Sequence, residues 1–241
     1  MNNVFVLIGG EIQRMKKYNI LGASVFVALI WIGVLYFTEA EDINYLFPYL
    51  VFFDAVSMAM LMVGVTMFFE KQEGTFKTLL VSPINKSEYI LSKVFANIIS
   101  NILTLLLLYL YARIFKQIDL NILGLLGAVI LVAFFHSLLG VILTYYSKDF
   151  TDLLMKMVIY SLILMFPVIL EQVGIISGQL IDKLLYAIPT KASMSLFLAS
   201  TGLVETWEIY LSTAYMVTAC VIMYIIVSKK FDEFAVKGSG V

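Results

Sequence analysis

One cysteine, one histidine, four prolines and a charged fraction of only 14% leave this 241-residue chain short of what most soluble enzymes are built from. The lone Cys220 excludes an intrachain disulfide, so any segment outside the cytoplasm has to be held by packing. With His136 as the single histidine, neither H-E-x-x-H nor a Cys/His zinc set can be assembled. No G-x-S-x-G turn marks a serine nucleophile, which removes the usual hydrolytic triad. No G-x-x-x-x-G-K-[ST] occurs either: Gly9-Gly10 runs into Glu11-Ile12-Gln13, so this chain has no P-loop with which to bind ATP. The net charge of −1, from 16 Lys and Arg against 17 Asp and Glu, offers no basic excess to nucleic acid.

What the chain does hold is apolar surface. Hydrophobic residues make up 61% of it and its mean hydropathy is +0.97, whereas a soluble domain carries roughly 45–50% apolar residues. The solvent this composition fits is a bilayer. Crossing about 30 Å of hydrocarbon takes roughly 20 apolar residues as helix, and six stretches qualify, near 19–38, 47–69, 93–115, 122–146, 154–173 and 207–228. Six crossings put both ends of the chain on one side. Of the 16 Lys and Arg, only Arg113, Lys116, Lys183 and Lys191 fall on the other side, and the acids divide evenly, so the rule that Lys and Arg stay inside places both termini in the cytoplasm. Tyr18, Tyr89, Tyr145 and Tyr146 at inner ends, with Tyr36, Phe47, Trp207 and Tyr210 at outer ends, fit the two aromatic belts.

Between the crossings, three segments carry pattern. Over 1–18, Phe5, Ile8, Ile12 and Met15 recur at helical spacing among Glu11, Arg14, Lys16 and Lys17, which predicts an interfacial amphipathic helix rather than a cleaved leader. Over 174–206, Gly174, Gly178, Pro189 and Gly202 punctuate a segment too apolar for a solvated loop. Two short helices, near 177–187 and 191–200, are expected there, either dipping into the outer leaflet or lying on its surface. The inner loop over 70–92 has Thr75 placed to cap a short helix with Phe76, Leu79 and Leu80 on one face. Ser82-Pro83 would end it, and Asn85 with Glu88 forms a capping-box pattern for the third span. Apolar residues on a cytoplasmic helix call for a groove in a partner.

The order Glu70, Gly74-Thr75, Leu79-Leu80, Ser82-Pro83 and Lys93 resembles the type-2 ABC (ABC-2) exporter permeases, whose inner loop has the form E-x-x-x-G-T-x-x-x-L-L-x-S-P. Six spans, the N-terminal helix and the paired short helices fit the same family over essentially the whole chain. The resemblance implies an all-α polytopic membrane protein in a single domain over 1–241. It implies no cofactor in this chain, with ATP and magnesium in separate cytoplasmic ABC ATPase subunits, and a second permease copy or a related permease as partner in the plasma membrane. It also makes Glu70, Glu73, Gly74, Thr75, Phe76 and Leu79 the candidates for coupling to the ATPase, although Gly74 and Pro83 also suit a plain turn. A non-transport assembly or sensor subunit that docks an ATPase through the same loop is the alternative.

Within the spans, Asp54 is costly in hydrocarbon, about 2.5–3.5 kcal/mol on insertion scales, and should face the bundle interior. Ser57 lies three residues on. Asn97, Asn101 and Thr104 form an i, i+4, i+7 stripe suited to interhelical hydrogen bonds. With His136 these are the substrate-path candidates, although His136 reads more readily as a core residue. The span limits put His136 deeper than Asp54, so a direct pair between them is not expected. An amphiphilic drug, lipid or peptide suits the mostly apolar spans, with a cation less favoured. Residues 229–241 read as a cytoplasmic tail whose Gly238-Ser239-Gly240 end is unstructured or non-native.

Overall fold

The computed structural model describes residues 2–75 and 82–239. Among these, an amphipathic helix, Asn2–Lys17, leads into six helices long and apolar enough to cross a membrane: Ile20–Phe37, Ile43–Gln72, Lys86–Phe115, Ile122–Tyr145, Phe150–Gln172 and Thr206–Phe234. Two short helices, Gln179–Leu185 and Pro189–Leu198, separate the fifth span from the sixth. The protein is thus an all-α integral membrane protein.

The second and fourth spans form the axis of the bundle, since most of their residues are buried, while the first, fifth and sixth spans bury only 22% of theirs. Gly140 makes the axis tight: a Cβ there would sit 2.6 Å from the Met60 carbonyl oxygen, so only glycine lets these two backbones touch. Phe47, Phe52, Met60 and Phe197 are among the side chains that fill the core. Phe26, Leu29 and Phe37 of the first span, Leu162 and Ile163 of the fifth and Val221 and Ile222 of the sixth lie on the outside of the bundle, where hydrocarbon takes the place of protein.

Three differences from the sequence reading have physical causes. The helix of the second span starts at Ala40, well before the expected residue 47, because polar residues ahead of the apolar run are no obstacle to a helical first turn, where acids suit the dipole. Two spans carry a π turn, Asp54–Met58 in the second and Ser161–Met165 in the fifth. Beside the latter, Pro167 has no N–H to give to the preceding turn, and the Thr190 hydroxyl donates to the Leu164 carbonyl. Finally, the stretch expected as a tail from 229 continues the last helix through Ser239. Phe234 stacks on Tyr145 with ring centroids 4.4 Å apart, Phe231 meets Tyr89 at 5.4 Å, and Lys86 pairs with Asp232 at 2.9 Å, so this extension packs on the ends of the third and fourth spans.

The two short helices differ in how far the bundle encloses them. Gln179–Leu185 is peripheral, with Leu180 and Leu184 exposed. Pro189–Leu198 is enclosed, every residue from Thr190 to Leu198 being buried against the second, fourth and sixth spans. Its Lys191 pairs with Glu171 at 2.6 Å and lies 5.5 Å from the Tyr186 ring, which neutralises a cation that apolar surroundings would not accept alone.

Candidate functional site

The amphipathic helix and the second and third spans meet in a buried ionic cluster. Along the N-terminal helix, Met15 packs with Ile20, Met62 and Ala96, which turns Glu11 and Arg14 inward, while Phe5 stays exposed. Glu70 ends the second span and Lys93 lies two turns into the third. Lys93 Nζ is 2.7 Å from Glu70 Oε1 and 3.1 Å from Glu11 Oε2. Arg14 Nη2 donates to Glu11 Oε1 at 2.6 Å, and Nη1 pairs with Glu70. Tyr89 donates its hydroxyl proton to Glu70 Oε2 at 2.6 Å, and its ring lies 4.8 Å from the Lys93 ammonium. Two carboxylates face two cations, so the cluster is neutral, and Glu11, Glu70 and Lys93 are each almost fully buried. Such a set does more to fix geometry than to add stability, since desolvation offsets most of the attraction.

This places the coupling candidates in two groups. Glu70 is an interior member of the cluster and fixes the exit of the loop. Glu73 is half exposed and pairs with Lys17 at 2.9 Å, and its carboxylate holds the Lys17 ammonium above its ordinary pKa. Gly74 ends the helix at φ +69°, a left-handed conformation that glycine adopts without steric cost, so its turn-forming part is visible in the backbone. Thr75 lines, with Leu7, Glu11, Arg14, Ser82, Ile84 and Tyr89, a cavity of about 110 Å³ between the N-terminal helix and the loop. Phe76 and Leu79 lie outside the described residues. The capping pattern opening the third span is formed, Glu88 Oε2 accepting the Asn85 backbone N–H at 3.0 Å.

The path candidates do not form one site. Asp54 is buried at 5% exposure, facing inward as expected. Ser57 does not accompany it: the wide i→i+5 turn rotates Ser57, three residues on, away from the void that Asp54 lines, while Met58, four residues on, remains beside it. Asn97 crosslinks the bundle, its amide donating to the Ala59 carbonyl and to Ser137 Oγ, both at 2.7 Å, and Asn101 donates to the Asn97 carbonyl at 2.9 Å. His136 is a core histidine with no exposed surface, bonded to the Val132 carbonyl at 2.9 Å and the Tyr160 hydroxyl at 3.0 Å. It and Asp54 do not pair: Asp54 shares its void with residues of the first and third spans, whereas His136 bonds toward the fifth.

Sequence pattern missed Glu11 and Arg14 as interior groups, because their partners are 56 to 82 residues away. It also missed Ser24 and Ser100, which bond each other at 3.1 Å. Ser100 was within reach, since it completes the Asn97, Asn101, Thr104 stripe.

Six helices long and apolar enough to cross a membrane, an amphipathic helix ahead of them and a short helix enclosed before the last are the architecture of a polytopic membrane protein, in keeping with the resemblance to the ABC-2 permeases. A family model, the fluoroquinolones export permease protein family, matches residues 4–239, and the chain belongs to that family. Among its relatives are the fluoroquinolones export permease proteins of Mycobacterium tuberculosis strains CDC 1551 / Oshkosh and ATCC 25618 / H37Rv. Each is 25% identical over 233 residues, which is 96% of this chain and 95% of theirs.

Proposed function

We propose that this chain is the membrane-spanning half of an ATP-driven exporter of amphiphilic compounds of the fluoroquinolone class. In this reading both termini and the 70–92 loop lie in the cytoplasm, separate ATPase subunits bind that loop and hold the ATP and magnesium, and two copies, or one copy and a related permease, frame the path. The substrate class comes from the names of its relatives. The observation that carries the coupling is the ionic cluster. A push on the loop reaches the second span through Glu70, the third through Lys93 and the N-terminal helix through Arg14 and Glu11 together, because buried pairs resist separation.

The test is co-purification with candidate ATPases and measurement of hydrolysis across a panel of fluoroquinolones, other cationic amphiphiles and lipids. Phe76→Ala should cost on the order of 2 kcal/mol of docking if the ring is an anchor in the ATPase. Glu73→Lys replaces the Lys17 pair with repulsion, an exposed effect worth little to the fold, and reverses a charge offered to the partner. Both variants are expected at normal levels in the membrane, with less bound ATPase and no drug-stimulated hydrolysis. Full ATPase association and transport in both would mean that the loop does not couple.

A further inference from the structure

Behind Asp54 the first, second and third spans enclose a void of about 10 Å³, lined by Ser24, Asp54, Ser100, Asn101 and Thr104 with the thioethers of Met58 and Met62. That is room for one water-sized guest. All five polar side chains are more than nine-tenths buried. What distinguishes the void is where their protons go. Ser24 donates to the Ile20 carbonyl at 3.2 Å, Ser100 to Ser24 Oγ at 3.1 Å and Thr104 to the Ser100 carbonyl at 3.3 Å. The Asn101 amide nitrogen donates to the Asn97 carbonyl at 2.9 Å. Because a carbonyl can only accept, the amide orientation is fixed, and it leaves Asn101 Oδ1 buried with no hydrogen-bond partner. The hydroxyls, having spent their protons, present lone pairs. Trp31 turns its indole N–H toward Asp54 without closing a bond of normal geometry, and no ion pair among the described residues includes Asp54.

We infer that Asp54, Asn101, Ser100, Thr104 and Ser24 form a binding site for one small monovalent cation, sodium being the abundant candidate. Oxygen acceptors converging on a space for one atom are what a hard cation takes up in place of its hydration shell. A single carboxylate balances a single charge, so a divalent ion would leave an excess buried in the membrane. A water would satisfy two acceptors and leave the carboxylate charge uncompensated. A proton on Asp54 would satisfy one acceptor and leave the lone pairs of Ser100 and Thr104 unused, whereas a cation engages all of them. Its ligands come from three spans, so release of the ion is linked to their separation.

The site needs no ATPase for its test. Trp31 is an intrinsic reporter beside Asp54, and Trp207, the second of two tryptophans, is removed as Trp207→Phe. The purified full chain in detergent is titrated with sodium chloride against choline chloride at constant ionic strength and alkaline pH, following Trp31 emission and thermal unfolding. Sodium should produce a saturable emission change and raise the unfolding temperature, as any ligand specific to the folded state does. Asp54→Asn should fold, since it removes a buried charge at constant shape, and should lose the sodium response. Asn101→Ala should weaken the apparent affinity about tenfold by deleting one ligand of a charged guest. If Asp54→Asn does not fold, Asn101→Ala and Ser100→Ala carry the comparison. Equal effects of sodium and choline, or a sodium response retained in Asp54→Asn, would overturn the site. A response to pH that depends on Asp54 and ignores sodium would also overturn it, in favour of a carboxyl that only takes up a proton.

Discussion

Lys93 shows how much one residue can hold. It faces two carboxylates from two other helices inside the protein, and Lys93→Met leaves Glu11 and Glu70 with Arg14 alone. The expected loss is about 3–5 kcal/mol, the range for breaking a buried pair by removing one partner. Adding Glu11→Gln should recover most of it, because the double variant again balances one acid against one base. Thermal unfolding of the four proteins of this cycle checks the coupling, and additive losses would mean that the cluster is not a unit. From sequence alone Glu11 belonged to the polar face of an interfacial helix, and Lys93 was a basic residue at the inner end of a span. Both readings are locally sound. They miss the burial because local spacing describes a helix by itself, and the groups that draw these charges inward are supplied by other parts of the chain.

At the scale of elements, the fit between the second and fourth spans is set by the absence of a side chain. Gly140→Val would drive a branched Cβ into the Met60 carbonyl, where even a methyl group would lie at 2.6 Å. The two spans would have to part, and a destabilisation of about 1–3 kcal/mol is expected from such overpacking, read as a lower unfolding temperature with unchanged helical content. Gly127→Val, on the same helix but with nothing within 4 Å of the position, is the matched control. The spans were legible because length and hydropathy are all that crossing a bilayer demands. Their π turns were not, since nothing in Asp54-Ala55-Val56-Ser57-Met58 departs from an ordinary helical run. That one unread turn is why Ser57, three residues on and expected beside Asp54, is swung away from it, while Met58 keeps the shared face.

For the whole molecule, charge sets orientation and packing sets shape. Cysteine in place of the exposed Lys148, between the fourth and fifth spans, is expected to react with an impermeant reagent only after the cytoplasmic side is opened. Labelling from outside intact cells would invert the topology and move the loop away from any cytoplasmic ATPase. The enclosure of one short helix and the exposure of the other were not separable in the sequence, because both are apolar and too short to cross. What separates them is the company they find: Thr190 meets the Leu164 carbonyl and Lys191 meets Glu171, while Leu180 and Leu184 meet nothing inside the bundle.

That enclosed helix also imposes an order of assembly. Pro189–Leu198 has 10 residues, too few to cross hydrocarbon, and carries Thr190, Lys191, Ser193 and Ser195. It packs against the sixth span, which is synthesised after it. A nascent chain extending only through residue 205 therefore has this helix covered by the second and fourth spans but open on the side that the sixth span will take. The last span closes over it from the side. The sixth span is in this sense the bolt of the bundle, and any delay in its insertion leaves that one side of the short helix uncovered.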